Sequence, residues 1–197
     1  MRARSTWLVL GMMSMFAGCA SAPARDELAG PATDAVEIPP ESAPSVAAYD
    51  PFAGAMPPLM ASALATQSEG GLLGLDVQGW LFNYALSHTD DARPWLLLAR
   101  DSMAREWGGW AERQYASAIE SDPRVVEVPF VLADLIIVAS EFIGIDRDEA
   151  TLLVVTHWGS DALPAIDRAL VAAEARGDDA AVDGLKSLSE AIIGESA

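Results

Sequence analysis

Cysteine and lysine are almost absent from this chain of 197 residues. It contains one cysteine, Cys19, one lysine, Lys186, and only two histidines. A single cysteine excludes a disulfide framework, a Cys-x-x-Cys redox centre and a Cys-rich zinc site. With 29 acidic and 12 basic side chains, the net charge is −17. Nucleic acids and anionic lipids bind clustered Lys and Arg. The composition therefore indicates an acidic protein that does not bind nucleic acid.

Motifs of the common catalytic sites are also missing. The chain has no phosphate-binding Gly-x-x-x-x-Gly-Lys-Ser/Thr run, no Gly-x-Ser-x-Gly elbow and no His-Glu-x-x-His zinc motif. His88 stands next to Asp90 and Asp91, but its position predicts the end of a helix, where a histidine is favourable without any catalytic role. His157 follows an apolar run, which favours a place in or beside the core. We predict that the protein is not an enzyme and holds no cofactor or metal ion, with a site around His157 as the alternative.

No apolar run is long enough to cross a bilayer, which takes about 20 residues. Residues 1–18 instead have the pattern of a secretory signal peptide. Arg2 and Arg4 precede an uncharged stretch from Trp7 to Ala17. The sequence therefore predicts export.

The end of this segment, Phe16-Ala-Gly-Cys19, resembles the lipobox of bacterial lipoproteins, with Phe16 where the family usually has Leu. The resemblance implies that Cys19 becomes the first residue of the mature protein, with a diacylglycerol and an N-acyl chain that hold it on a membrane. Ala20 follows where inner-membrane lipoproteins often have Asp. This implies the periplasmic face of the outer membrane if the host is Gram-negative. Cleavage after Ala22 is the alternative, and it would release a soluble periplasmic protein.

Proline and alanine dominate the stretch that follows, and proline interrupts both helices and strands. We predict that residues 19–57 are a disordered tether behind the lipidated cysteine. From residue 58 onward, helix-forming residues are separated by turn signals at intervals typical of helix hairpins. Residues 58–197 are therefore predicted to form an all-α domain. The apolar block Val131–Val138 is interpreted as a buried helix. The spacing of Ala181, Leu185, Leu188 and Ile192 predicts one buried face on a closing helix.

Residues 91–124 have the length and spacing of a tetratricopeptide repeat (TPR), in which large, small and proline residues recur at fixed offsets. Ser102 stands where the family prefers Tyr. The matching positions are Trp95, Leu98, Ala99, Ala111, Tyr115, Ala118 and Pro123. We expect Gly108-Gly109 to form the turn between the two helices. Because one hairpin cannot bury its own apolar face, the resemblance implies a short α-solenoid of antiparallel hairpins.

The first helix of a TPR lines a groove that binds peptides or partner helices. Carried onto this chain, the resemblance implies a partner-binding groove formed by Arg93, Leu96, Arg100 and Met103. Its arginines would be suited to a partner carboxylate. The alternative is a solvated face with local pairing to Asp101 or Glu106. Trp107 and Trp110 are expected to pack around the repeat's turn; the alternative is that they stack on a sugar or a base.

Together these features predict a lipid-anchored envelope lipoprotein that works as a non-catalytic, TPR-like adaptor for an unidentified protein. The alternative is a structural subunit that is permanently buried in an envelope complex. A large exposed patch of Ile, Leu and Val would favour that alternative.

Overall fold

Helices account for all regular secondary structure in residues 49–142 and 144–195, the part of the chain that this computed structural model describes. The eight α-helices are α1 (Pro58–Ser68), α2 (Leu75–Ser87), α3 (Arg93–Ala104), α4 (Gly108–Ser121), α5 (Pro129–Glu141), α6 (Ile145–His157), α7 (Leu163–Arg176) and α8 (Asp179–Glu195). Short 3₁₀ helices span Pro123–Glu127 and Gly159–Ala162. The all-α prediction is confirmed. The predicted signal peptide, Cys19, Ala22 and most of the predicted tether lie outside the described residues.

Proline marks the beginning of four helices. Pro58, Pro94, Pro129 and Pro164 occupy the first turns of α1, α3, α5 and α7. The ring fixes φ near its helical value, and the missing N–H would have no partner within the first turn. Gly177 ends α7 in the left-handed conformation, with φ 68°. Local sequence signals of this kind are sufficient to divide the chain into helices.

The turn between α3 and α4 differs from the prediction. It consists of residues 105–107, whereas Gly108 and Gly109 already belong to α4. Gly108 is instead needed for close packing between α4 and the end of α5. A Cβ atom there would lie 2.6 Å from the ring of Phe142, so glycine allows the start of α4 to pack against the end of α5.

The helices pack mainly with their neighbours in sequence: α3 with α4, α5 with α6, and α7 with α8. Helix α8 also packs against α5, where a Cβ on Gly184 would lie 2.2 Å from the carbonyl oxygen of Ser140. The last helix thus returns to the middle of the unit. The solenoid arrangement stays a prediction.

Burial follows the predicted apolar spacing. The interpretation of Val131–Val138 as a helix is confirmed, because this block lies within α5. All four stripe residues of the closing helix are buried in α8. Ser160 and Asp161 lie in the 3₁₀ turn that precedes α7.

The folded unit includes residues before its first helix. Tyr49 and Phe52 pack against the core, and the side chain of Arg93 donates to the carbonyl oxygen of Ala55 at 2.9 Å. These contacts make residues 49–57 part of the folded unit rather than of the tether, while the first helix begins at residue 58. Among the described helices, none has the length and apolar character needed to span a membrane.

Candidate functional site

The four residues predicted to line a groove on α3 have different surroundings. Leu96 is completely buried in the main core. It offers no surface to a partner, so its assignment to an accessible groove is corrected. Arg93 is held in a bidentate ion pair with Asp91, with its Nε and Nη2 donating at 2.8 and 2.7 Å. That pairing and the hydrogen bond to Ala55 occupy its guanidinium group.

Arg100 and Met103 are partly buried. The guanidinium of Arg100 lies 4.9 Å from the centre of the Phe130 ring on α5, and Met103 packs against the core. Of the predicted face, parts of Arg93, Arg100 and Met103 reach solvent, whereas Leu96 does not. The structure therefore offers no continuous open surface across the four residues.

A different surface, at the start of α4, is open and aromatic. Trp107 is 48% exposed and Trp110 is 60% exposed, so the prediction that they pack around the turn is wrong. Together with residues of α2 and α3 they line a cavity of about 380 Å³. We call this the tryptophan groove; its apolar lining is formed by Leu75, Gly79, Phe82, Leu98, Trp107 and Trp110.

The end of α3 places the first tryptophan at the surface. Glu106 adopts the left-handed conformation, with φ 63°, and the N–H of Trp107 donates to the carbonyl oxygen of Ser102 at 2.9 Å. This is a Schellman ending with Glu where Gly is usual. A non-glycine residue in this region costs on the order of 1–3 kcal/mol, and such strain is often found at functional sites.

Polar groups at the base of the tryptophan groove are already paired. Asp101 is buried and accepts three hydrogen bonds. Two come from the segment before and within α2: the N–H of Leu73 at 2.7 Å and the side chain of Gln78 at 2.9 Å. The third comes from Nε of Arg105 at 2.7 Å. The hydroxyl of Ser102 donates to Oε1 of Gln114 at 2.8 Å. Since these polar groups bond to one another, the groove mainly presents apolar surface.

The same two tryptophans also line a second cavity of about 400 Å³, together with residues that follow α5 and begin α6. We call it the acidic groove; its charged residues are Glu106, Arg113 and Asp146. Arg113 is the one cation among its lining residues, and it is 57% exposed. Its guanidinium lies 4.0 Å from Asp146 and 3.9 Å from Glu149. These long contacts hold it weakly.

Glu112 lies below this acidic surface with only 4% of its area exposed. Its Oε2 atom has no hydrogen-bond partner among the described residues. Burial, together with the neighbouring charges of Glu149 and Asp146, raises the pKa of Glu112 to about 7, although Arg113 acts in the opposite direction. The carboxyl group therefore changes charge near neutral pH.

The opposite end of α4 carries a polar cavity of about 600 Å³ next to Tyr49. The hydroxyl of Tyr49 donates to Asp122 at 2.7 Å, and the guanidinium of Arg124 lies 4.7 Å from the centre of the Tyr49 ring. Burial and the hydrogen bond to Asp122 raise the pKa of Tyr49 to about 12, whereas the hydrogen bonds from Arg124 lower the pKa of Asp122 to about 2. Most charges in this cavity are paired with one another.

Neither histidine lies in a recognisable catalytic arrangement among the described residues. His88 follows α2, as predicted, and stacks on Tyr84 with ring centres 3.9 Å apart. His157 is exposed at the end of α6 and therefore lies outside the core, with its ring centre 6.0 Å from that of Trp158. Within residues 49–142 and 144–195, no group of three His, Cys, Asp or Glu side chains is arranged to hold a metal ion.

Sequence reasoning missed the exposed tryptophans, although one signal was present. The buried stripe of α4 contains Ala111, Tyr115 and Ala118. Trp110 precedes that stripe by one residue, which turns it about 100° away on a helix. This position on the helix predicts that Trp110 lies at the surface, even though tryptophan is usually buried.

Comparison with family models, with curated proteins and with solved structures found no significant match to this chain.

Proposed function

We propose that the chain is a lipid-anchored lipoprotein of the cell envelope that acts as a non-catalytic adaptor and binds a partner protein through its helical domain. One observation carries the binding part of this proposal: the tryptophan groove exposes a pair of large aromatic side chains on an all-helical unit. Tryptophan is enriched among residues that dominate the energy of protein interfaces. A soluble domain rarely leaves such residues together at its surface without a partner.

The TPR-like character of the domain rests on residues 91–124, which contain α3 and α4. Four of the signature residues are completely buried, namely Ala99, Ala111, Tyr115 and Ala118, and Trp95 is partly buried. Small residues allow two helices to approach closely, and the large ring fills the space beside them. This packing supports the resemblance, whereas the return of α8 to α5 is a departure from a simple row of hairpins.

The membrane part of the proposal rests on the lipobox-like sequence that ends at Cys19. In this view, lipid chains on Cys19 hold the domain at the periplasmic face of the outer membrane if the host is Gram-negative. A chain cleaved after Ala22 would instead be released.

Exposed aliphatic residues favour a second candidate, a structural subunit of an envelope complex. Leu75 is 79% exposed, Ile145 67% and Val171 66%. They lie on α2, α6 and α7, so a permanent partner would have to contact several parts of the unit. An adaptor needs one exposed groove, whereas a structural subunit would bury most of these residues.

The test combines lipid labelling with in-cell crosslinking of the full-length chain. We expect a labelled fatty acid to be incorporated into the native protein and not into Cys19→Ser, and a discrete partner to be crosslinked. A chain that carries no lipid and forms no crosslinked complex would overturn the proposal. A partner that never dissociates from the purified protein would favour the structural subunit.

A further inference from the structure

Two cavities of different chemistry share the same pair of side chains. Trp107 and Trp110 form one wall of the apolar tryptophan groove and one wall of the acidic groove. The volumes, about 380 and 400 Å³, lie near the lower end of the range for ligand pockets. A ligand on the tryptophans therefore meets apolar surface on one side and carboxylates on the other.

The tryptophan groove is suited to a bulky apolar side chain. Leu75 and Phe82 are well exposed at its rim, and the space beside Gly79 is open, with no atom within 4 Å of where a Cβ would stand. The buried Asp101 and its neighbours already satisfy one another. A polar ligand would find few free hydrogen-bond partners there, whereas an apolar group would remove aromatic and aliphatic surface from water.

The acidic groove is suited to a cation. Glu106 and Asp146 line it, Glu149 lies next to Arg113, and Arg113 is only weakly held by these carboxylates. An incoming Lys or Arg would gain from the excess of negative charge. It would also lie close to the indole ring of Trp110, and cations are attracted to such rings. The ring of Trp107 already has a cation of this chain over it, because the guanidinium of Arg105 lies 5.3 Å from its centre.

We propose that the two grooves form a single docking site for a segment of another protein that carries a bulky apolar side chain next to an Arg or Lys. This inference rests on the adaptor function and specifies its partner. A second copy of this chain fits less well, because its net charge of −17 would be repelled. Anionic lipid headgroups are disfavoured at the acidic groove for the same reason.

The first experiment selects binding peptides from a random library displayed on phage, with the folded chain as bait. We expect the enriched peptides to combine a large apolar residue with a neighbouring Arg or Lys. Their affinity should fall at least tenfold in Trp110→Ala and about threefold to tenfold in the double variant Glu106→Gln/Asp146→Asn. It should also weaken as the salt concentration rises from 50 to 500 mM.

The matched control is Glu120→Gln, which removes one exposed carboxylate near the other end of α4 and should leave the affinity unchanged. Circular dichroism checks that each variant folds, and Trp110→Phe, which keeps an aromatic ring, should retain part of the binding. Enriched peptides without a basic residue, peptides that bind Trp110→Ala as well as the native chain, or a library that yields no binder would each overturn the proposal.

A second measurement separates this inference from the adaptor function. The crosslinking experiment is repeated in cells with the Trp107→Ala/Trp110→Ala variant. A partner captured equally by native and variant chains would refute this docking site while leaving the adaptor function intact. Loss of the same partner in the variant alone would support the site.

Discussion

At the carboxyl end of α4, the chain covers its own surface. Tyr49 donates to Asp122, and Arg124 lies over the tyrosine ring. At the amino end of the same helix, Trp107 and Trp110 project into solvent, and one oxygen of the buried Glu112 has no hydrogen-bond partner within the described part of the chain. One end is closed by a segment from 73 residues earlier in the chain, and the other is left open. The contrast separates contacts that hold the fold together from surface that is available to a partner.

The largest expected effect on stability comes from Tyr49→Ala, which removes the contacts that cover the carboxyl end of α4. This change removes a hydrogen bond to a carboxylate, a cation–π contact and a ring packed on the core. We expect a loss of about 2–3 kcal/mol in the free energy of unfolding, measured with urea. Tyr49→Phe, which loses only the hydroxyl, should cost about 1 kcal/mol. No effect from the alanine variant would show that residues 49–57 do not stabilise the fold.

At the open end, Glu112→Gln should raise stability at pH 8. The pKa of Glu112 is raised in the folded state to about 7, from an ordinary value of 4.5, so its charged form disfavours folding. For the native chain, the contribution of this group becomes more favourable as the pH falls from 8 through 7 toward 4.5. The variant should gain on the order of 1 kcal/mol at pH 8 and little at pH 5.

Thermal unfolding of the native chain, Glu112→Gln and Glu120→Gln at both pH values measures this difference. Glu120 is exposed on the same helix, so its variant controls for the loss of one negative charge. An equal gain at pH 5 and pH 8 would contradict the prediction, because the effect would then not depend on the charge of Glu112.

Acidic pH should lower the stability contributed by the Asp122–Arg124 pair at the carboxyl end of α4. The expected change is smaller than the one for Glu112→Gln. The pKa of Asp122 is lowered to about 2, mainly by the hydrogen bonds from Arg124. Its stabilising contribution is therefore complete above about pH 4 and is lost as the pH falls through 2. We expect less than about 1 kcal/mol, because Arg124 is exposed and water screens the pair. The difference in unfolding free energy between the native chain and Asp122→Asn, followed from pH 5 to pH 2, should shrink.

Trp110→Ala should have the smallest effect on the fold. A side chain that is 60% exposed has few core contacts, so we expect a change within about 0.5 kcal/mol in unfolding free energy. Peptide binding should nevertheless fall at least tenfold. A large loss of stability in this variant would mean that the tryptophan supports the fold, and the contrast between the two ends of α4 would no longer hold.

Local signals in the sequence predicted the helices well and the candidate site poorly. Proline at four helix starts, Gly177 after α7 and the apolar stripe of α8 are visible within short windows. The groove inferred from the repeat pattern was less successful, because Leu96 is buried and Arg93 is paired with Asp91. A repeat pattern assigns residues to faces of a helix, but it does not say which faces neighbouring helices and the preceding segment cover.

The amino-acid sequence by itself determined that this part of the protein is helical and which small and apolar residues lie between its helices. These properties depend on contacts within one or two helical turns. Only the tertiary structure decided that Tyr49 closes one end of α4, that Asp101 joins Leu73 to Arg105, and that Glu112 is placed near Glu149. Each of these arrangements joins residues from separate parts of the chain, so it exists only once the helices have packed.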